Sequence, residues 1–477
     1  MAKFPALFLP LALGACVMGP NYKAPVPPPP ETLGAFQSAA PGTSAAAPAD
    51  AWWRIYDDPA LDGLVRRALN ANTDLRVAEA NLRRARAAAR QAASDRAPSG
   101  TISGGANYGN NQGGGGGNNG QQDGGDAQVS ANGAATVSWE IDLFGRIARS
   151  IEAARGDADA TAAARDGVAL TVAAETTRAY VDACALAEAI AIGQDSASIA
   201  QRALAIQQAR EKAGAGMRLD TERAATQLAN IQATLPAIEG QRQASLFELA
   251  ALLGQTPSGV PEEARACTRA PRPVAAIPVG DGRGLLARRP DVREAERKLA
   301  AETARIGVAT AQLYPSISLG GSGNFFRNDQ VRGGDSFSFS LGPLISWNWG
   351  ALFAGRYYVQ QAEASAQAAL ASFDGTVLTA LKEAEQALTR YAAEGRRNQQ
   401  LAEASRHAQA AYDLAGQRQR AGSISQLELI DTQRELLSAR GALAQSTQML
   451  GSYRVDLFKA LGSGWQVAPE GVPPARP

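Results

Sequence analysis

A single histidine among 477 residues removes much catalytic chemistry at the outset. His407 can build neither a histidine metal cluster nor a Ser-His-Asp triad, and its polar helical surroundings read as a solvated face. Cysteine is nearly absent too. Beside Cys16, near the start, only Cys184 and Cys267 remain. Two thiols in an exported chain of this length make no disulfide scaffold, so a Cys184–Cys267 bond is the minority expectation. After the N-terminal segment no run reaches the roughly 18 apolar residues of a membrane-spanning helix. A net charge of +1 leaves no electrostatic footprint for nucleic acid or an acidic partner. The tract Gly113–Gly117 lacks a following Gly-Lys-Ser/Thr and reads as a loop, not a phosphate cradle. Glu383 and Glu385 are i,i+2 on a helical stretch and do not share a face. These absences argue against an enzyme, and no cofactor or metal is expected.

Proline is missing in an informative pattern. None occurs between Pro98 and Pro236 or between Pro343 and Pro469. Proline costs about 3 kcal/mol inside a helix, so such stretches permit very long helices. Arg146 to Lys212 and Arg356 to Arg420 are rich in Ala, Arg, Glu, Gln and Leu. Each would be about 100 Å long at the α-helical rise. That exceeds any compact domain and implies a coiled-coil-like tube. Leu429, Leu436, Leu443, Leu450 and Leu457 recur every seven residues, a seam that drives a left-handed supercoil.

Those stretches belong to a duplication. Pro98-Ser99 recurs as Pro315-Ser316, 217 positions on, and Asp74-Leu75-Arg76 as Asp291-Val292-Arg293 at the same offset. Ser138-Trp139 recurs as Ser346-Trp347, 208 positions on, as do Ala213-Gly214 and Leu253-Gly254 at Ala421-Gly422 and Leu461-Gly462. One nine-residue deletion opposite the Gly/Asn tract at 109–125 accounts for the change. Length alone would suggest about three domains. Two copies of one large unit imply instead pseudo-symmetry and a ring or tube.

The N-terminus reads as a bacterial export signal. Lys3 precedes the apolar run Phe4–Leu13, and Leu13-Gly14-Ala15-Cys16 resembles a lipobox. Cys16 would then be the lipidated first residue of the mature chain, with Val17 favouring the outer membrane and a Pro-rich tether following at Pro25–Pro30.

In each repeat the hydrophobic period switches to two in two places. Val129, Ala131, Ala135 and Val137 alternate with Ser130, Asn132, Thr136 and Ser138, and Phe337, Phe339 and Leu341 with Ser336, Ser338 and Ser340. Partner strands are predicted over Thr101–Tyr108 and Ser316–Phe326. Such alternation describes a membrane strand with one face to lipid and one to a wet lumen. Four strands are too few to close a barrel, and open edges are not tolerated in lipid. Three chains would supply twelve.

Four motifs carry a family resemblance: Met18-Gly19-Pro20-Asn21-Tyr22; Trp52-Trp53-Arg54 with Asp58-Pro59-Ala60-Leu61; Trp139-Glu140-Ile141-Asp142-Leu143-Phe144-Gly145-Arg146; and Tyr453 to Trp465, ending Leu461-Gly462-Ser463-Gly464-Trp465. Together they resemble NodT-type outer membrane factors, the TolC-like efflux lipoproteins, across residues 13–465. Two departures stand out, the long Gly-rich first loop and the aromatic pair of Trp347-Asn348-Trp349-Gly350. The resemblance implies a mainly α chain with a transmembrane β-barrel, built of two internal repeats. A long helical coiled-coil barrel and four strands per chain would assemble as a homotrimer with a twelve-stranded barrel. The expected divisions are a signal peptide at 1–15, a lipidated tether at 16–58 and repeat 1 at 59–256. A linker in an equatorial region would span 257–284, repeat 2 would span 285–465, and a tail would span 466–477.

Function is then expected at the ends of the long helices. Arg210, Gly214, Gly216 and Leu219 in the first repeat, with Arg418 and Gly422 in the second, would form tips that meet a periplasmic adaptor. Leu427 and Asp431, i,i+4 on one face, match positions that line the constriction in related channels, with Arg434 placed to hold Asp431. The expected activity is passive conduction from an inner-membrane pump of the RND type and a membrane fusion protein. A type I secretion duct and a non-channel periplasmic coiled-coil scaffold are the alternatives; a scaffold has no use for lipid-facing Phe337 and Phe339.

Overall fold

The computed structural model describes residues 17–25, 33–38, 41–109, 127–328 and 331–464. Cys16, the signal segment, most of the Gly/Asn tract, Trp465 and the C-terminal tail lie outside them. In chain order the elements are β1 (Thr43–Ser44), α1 (Pro59–Ala71), α2 (Thr73–Ser94), β2 (Ser99–Gly109), β3 (Gln128–Ile141), α3 (Arg146–Lys212) and α4 (Arg218–Leu252). After them come α5 (Glu262–Arg265), β4 (Ile277–Pro278), α6 (Gly282–Arg288), α7 (Pro290–Ala311), β5 (Ser316–Arg327), β6 (Phe337–Ser346), α8 (Ala351–Arg420) and α9 (Gln426–Ala460). A 3-10 turn over Trp52–Tyr56 precedes α1.

The duplication governs these boundaries. Moving the ends of α2 by 217 gives those of α7, and moving the ends of α4 by 208 gives those of α9. The last residues of α3 and α8 are also 208 apart. Both very long helices form as proline-free stretches allow, over 67 and 70 residues. Pro236, in contrast, ends nothing: α4 runs through it. It is exposed, so water can satisfy the carbonyl that its missing N–H leaves unpaired.

The chain forms two compact units. The first contains the N-terminal segment to Pro25, Arg83–Ala160 and Ala295–Ser372. Its centre is an antiparallel sheet of order β2-β3-β5-β6. Ser99 pairs with Ser138, Ile141 with Ile317, and Ser316 with Ser346. This register puts Ile102, Val137, Trp139, Leu319, Phe339 and Ile345 on one face. Hydroxyls dominate the other, with Phe326 and Leu344 as apolar exceptions; there Thr101 meets Thr136 and Ser322 meets Ser340, each at 2.9 Å. The strands are longer than the alternation predicts, since Ala134 and Gly342 weaken the pattern without breaking the ladder.

The same unit explains two motifs. Gly19 lies so close to Gly307 of α7 that a Cβ on it would stand 2.4 Å from the Gly307 Cα. Buried Arg149 of α3 donates to the carbonyls of Met18 and Gly19 and to Asn21 Oδ1 (2.7 Å), while the Tyr22 hydroxyl bonds Glu296. Met18-Gly19-Pro20-Asn21-Tyr22 is thus a strap fastened across α3 and α7. At the strand-to-helix junction, Glu140 takes Arg146 in a bidentate pair at 3.0 and 2.8 Å, and the Asp142 carboxylate caps the N–H groups of Ile147 and Ala148. The second junction has Asn348, Gly350 and Ala354 at the equivalent places, so it lacks that clasp.

The second unit holds Val26–Leu82, Thr161–Glu294 and Phe373–Pro477. Its core joins the first-helix motif to the C-terminal signature: Trp52 stacks on Phe458 at 4.5 Å and meets Trp53 edge-on. Asp58 caps α1 through Ala60 and Leu61 and accepts from the Tyr180 hydroxyl at 2.9 Å. Burial raises the Asp62 pKa, but hydrogen bonds from Arg66, Arg54 and Trp53 outweigh it and hold the carboxyl at about 2. Of the heptad leucines, Leu436 and Leu457 are fully buried and Leu429, Leu443 and Leu450 half-buried. Among the described residues no helix is long and apolar enough to cross a membrane.

One expectation is overturned. Cys184 and Cys267 form a disulfide with their Cα atoms 5.2 Å apart. The chain between α4 and α7 folds back onto α3, so Cys267 reaches the buried Cys184 across 83 positions. Closing so long a loop restricts the unfolded chain and is worth about 2–4 kcal/mol. Replacing both residues by serine is expected to lower the unfolding midpoint, whereas reductant should leave the double variant's midpoint unmoved. Equal midpoints for oxidised wild type and the double variant would show that the bond contributes nothing.

Candidate functional site

The predicted tips are the turns α3–α4 and α8–α9, which share one construction. In the first, Gly214 N–H donates to the Glu211 carbonyl (2.9 Å) and Ala215 N–H to Arg210 (2.8 Å). In the second, Gly422 donates to Gln419 (3.0 Å) and Ser423 to Arg418 (2.9 Å). Both are Schellman closures, which need a left-handed residue just past the helix, and Gly214 and Gly422 have φ of +69° and +73°. Nothing lies within 4 Å of a Cβ built on either, so glycine is there for its backbone and not for space. Gly216 differs: its Cβ would stand 3.1 Å from Arg210 Cβ, so the chain leaves this turn in close contact with the helix it came from. Arg210, Arg418 and Leu219 are exposed.

The returning helices start differently. Ser425 caps α9 by accepting from the Glu428 N–H (3.2 Å), whereas Met217 gives α4 no side-chain cap. Leu427 and Asp431 occupy the first two turns of α9 and are exposed in the single chain. Asp431 stands 3.7 Å from Arg434. Arg434 also reaches across to α4, donating from Nε to Gln227 Oε1 at 3.2 Å. The expected holding contact is therefore present, with a neutral tie to the neighbouring helix that spacing along α9 could not reveal. Both side chains are about half exposed, so the pair is worth at most about 1 kcal/mol. His407 is exposed on α8, with Glu403 and Arg406 beside it. Among the described residues no group of acidic, Cys and His side chains could hold a metal.

In the second unit, Arg289 binds Asp291 and Glu383 (both 2.7 Å) and the Ala460 carbonyl (3.0 Å). Burial works against its charge, but the two carboxylates outweigh it and hold the guanidinium firmly protonated. Glu383 thus ties α8 to the start of α7 and the end of α9. Glu385 accepts from the backbone N–H groups of Gln37 and Ser38. A cavity of 880 Å³ between α3, α4 and α9 is lined only by apolar and neutral polar side chains, among them Gly193, Ser196, Gly441 and Ser452.

A sheet with one apolar and one hydroxyl face, in a chain with paired helices of such length, has counterparts among known proteins. The sequence profile described as outer membrane efflux protein matches residues 64–255 and 283–463. The chain belongs to the outer membrane efflux protein family. The two matched segments carry the two repeats. Nodulation protein T of Rhizobium leguminosarum bv. trifolii is 29% identical over 97% of both chains. The pyoverdine export outer membrane protein OpmQ of Pseudomonas putida is 32% identical over 92% of this chain and 94% of its own. The solved outer-membrane channel OprN superposes with a TM-score of 0.85 at 34% identity, over 94% of this chain and 100% of OprN. The fold is that of the family's TolC-like channels, helical with membrane strands.

Replacing Gly422 by Ala is expected to destabilise the α8–α9 turn by about 1–2 kcal/mol, the cost of a left-handed conformation for a residue with a Cβ. Hydrogen exchange should accelerate at the Gly422 and Ser423 amides with little change in the global melt. Unchanged exchange there would mean that the turn does not depend on its left-handed residue.

Proposed function

We propose that this protein is the outer-membrane exit duct of a tripartite efflux system, working as a homotrimer with an inner-membrane pump of the RND type and a periplasmic adaptor. The observation that carries the reading is the two-faced sheet. Ile102 and Phe339, each 89% exposed, belong to a continuous apolar face, and hydroxyl ladders cover the reverse. A sheet wet on one side and apolar on the other suits a wall between lipid and a water-filled lumen. Membership in an efflux family supports the transport role, as do relatives that include a pyoverdine export protein and a toluene efflux pump component. Conduction is passive, and energy comes from the partners.

The turns at Gly214, Gly216 and Gly422, flanked by Arg210, Arg418 and Leu219, are the adaptor-facing tips. Leu427 and Asp431 form the constriction: three copies set an apolar ring beside an acidic one, as in cation-selective pores. Three aspartates repel one another near an axis, and Arg434 relieves that repulsion. In planar bilayers the purified protein is expected to give stepwise, cation-selective conductance. Asp431→Ala should lower the selectivity and widen the pore, while Asp220→Ala, at the start of α4, serves as control. A gate elsewhere would show as equal behaviour of both variants and wild type. No conductance from folded protein would defeat the duct itself.

Cys16, outside the described residues, is the lipid anchor in this reading, and the strap from Met18 to Tyr22 follows Val17, which lies against Gly145 at the strand-to-helix junction. Palmitate labelling of wild type should be lost in Cys16→Ala, and persistent label would exclude the site. The barrel also holds the chain, so the variant should stay in the membrane.

A further inference from the structure

The segment that joins the two repeats is fastened to the second unit at successive points. Cys267 is bonded to Cys184 of α3, the Glu188 carboxylate accepts from the Ala270 N–H at 3.2 Å, and the Val274 N–H donates to the Ile55 carbonyl at 3.0 Å. Ile277 then pairs with Thr43 where β4 joins β1. Between Ala270 and Val274 the chain reads Pro271-Arg272-Pro273. Two prolines favour extended backbone and remove two N–H groups that would need partners, so this stretch suits a span. Together with α3, α8 and α9 it encloses a cavity of 340 Å³.

Most of the wall is apolar, with Val181 and Ile192 from α3, Ala402 from α8, and Leu443 and Leu450 from α9. Its charged residues are Glu188, Arg272 and Arg454. Glu188 is engaged by Ala270 and stands 4.0 Å from Arg272, which is largely exposed. Arg454 is the anomaly. Arg149, Arg289 and Arg454 are the buried arginines among the described residues. Arg149 has Glu152 and Asn21, and Arg289 has Asp291 and Glu383, each of these contacts at 2.7 Å. Arg454, only 7% exposed, has no ion pair among the described residues, and its Nε has no hydrogen-bond partner. The rings of Tyr56 and Tyr391 lie 5.8 and 5.9 Å from the guanidinium, the outer limit of a cation–π contact. Burial raises the pKa of the Tyr56 hydroxyl, and the Arg454 charge beside it opposes that shift. A neutral phenol and two distant rings do not replace the carboxylate that a buried guanidinium requires.

We infer that this cavity is a binding site for a small organic acid with one carboxylate and an apolar body. The carboxylate sits against Arg454, whose planar fork matches it in shape and charge. A ring or short alkyl chain lies along Val181, Ile192 and Leu443. Apolar walls strengthen the ion pair by excluding water, and they favour a hydrophobic body over a hydrated inorganic anion. One uncompensated cation matches one negative charge, and Glu188 on the wall repels a second. The ligand would touch α3, α8 and α9 at once, beneath the segment that the disulfide latches. This site is separate from the duct and does not depend on that reading.

Benzoate and its uncharged isostere benzamide are the probes, with the full chain in detergent. Equilibrium dialysis of labelled benzoate should saturate at one molecule per chain. Hexanoate should displace it, whereas benzamide and sulfate should not. Arg454→Met should weaken benzoate binding by about tenfold or more, the loss expected of one charge-assisted pair. Without benzoate that variant should melt no lower than wild type, because it removes a buried charge that has no internal partner. Ala402→Phe, which fills the cavity from α8 and keeps Arg454, should also abolish binding, and it carries the test if Arg454→Met does not fold. Displacement by benzamide, wild-type affinity in either variant, or no saturable benzoate binding overturns the site. Sulfate competing as well as hexanoate overturns the organic class of ligand. A lower melting midpoint for Arg454→Met in the absence of benzoate would show that the chain itself satisfies Arg454, and it too overturns the inference.

Discussion

Backbone N–H and C=O groups on the outer edges of β2 and β6 have no water to turn to at the depth of a bilayer. Each unsatisfied group there costs several kcal/mol, and edge strands of eleven and ten residues expose a full row of them. The polar face bonds to itself through Thr101–Thr136 and Ser322–Ser340, and the Trp139 indole on the apolar face is already engaged with the Arg96 carbonyl. The single chain is therefore incomplete as a membrane object, whereas the second unit has a core of its own around Trp52, Trp53 and Phe458. Assembly and insertion are coupled for this reason: the edges need partners at the depth where water is absent.

Stability is distributed to match. Alanine and glycine at Gly156, Ala301 and Gly307 let backbones approach closely but bury little surface per residue. The second unit compensates with large aromatics, with Arg289 binding three partners, and with a disulfide that pins the connecting segment to α3. The strap at Met18–Tyr22 uses the same device as Arg289, a buried guanidinium that gathers backbone carbonyls and a side-chain oxygen.

Much of this was legible because it depends on period and on proline. The last residues of α3 and α8, the two hairpins and the turn glycines all follow from residue type along the chain, and the duplication lets each repeat check the other, although α8 starts at Ala351, five residues before the expected Arg356. What escaped depends on distant chain meeting in space. The Cys184–Cys267 bond spans a segment without periodicity, so spacing gave no warning that the two cysteines would meet. Pro236 sits inside α4 because water at its exposed position offsets the hydrogen bond it cannot donate. The motif at Met18–Tyr22 was recognisable as a family pattern and yet had no physical meaning until Arg149 and Glu296 were seen against it. For the proposed site, the Asp431–Arg434 contact followed from helical spacing, whereas Gln227 lies on another helix and could not.

The neutrality of the hydroxyl face has a consequence for traffic. Along the described strands its charged residue is Glu140, and Arg146 already clasps it. Serine, threonine and asparagine can exchange hydrogen bonds with passing water but cannot hold an ion or a charged solute for long. A wall of this kind has no sticky rungs. Solutes of either sign would move past it at a pace set by the width of the water column and by friction.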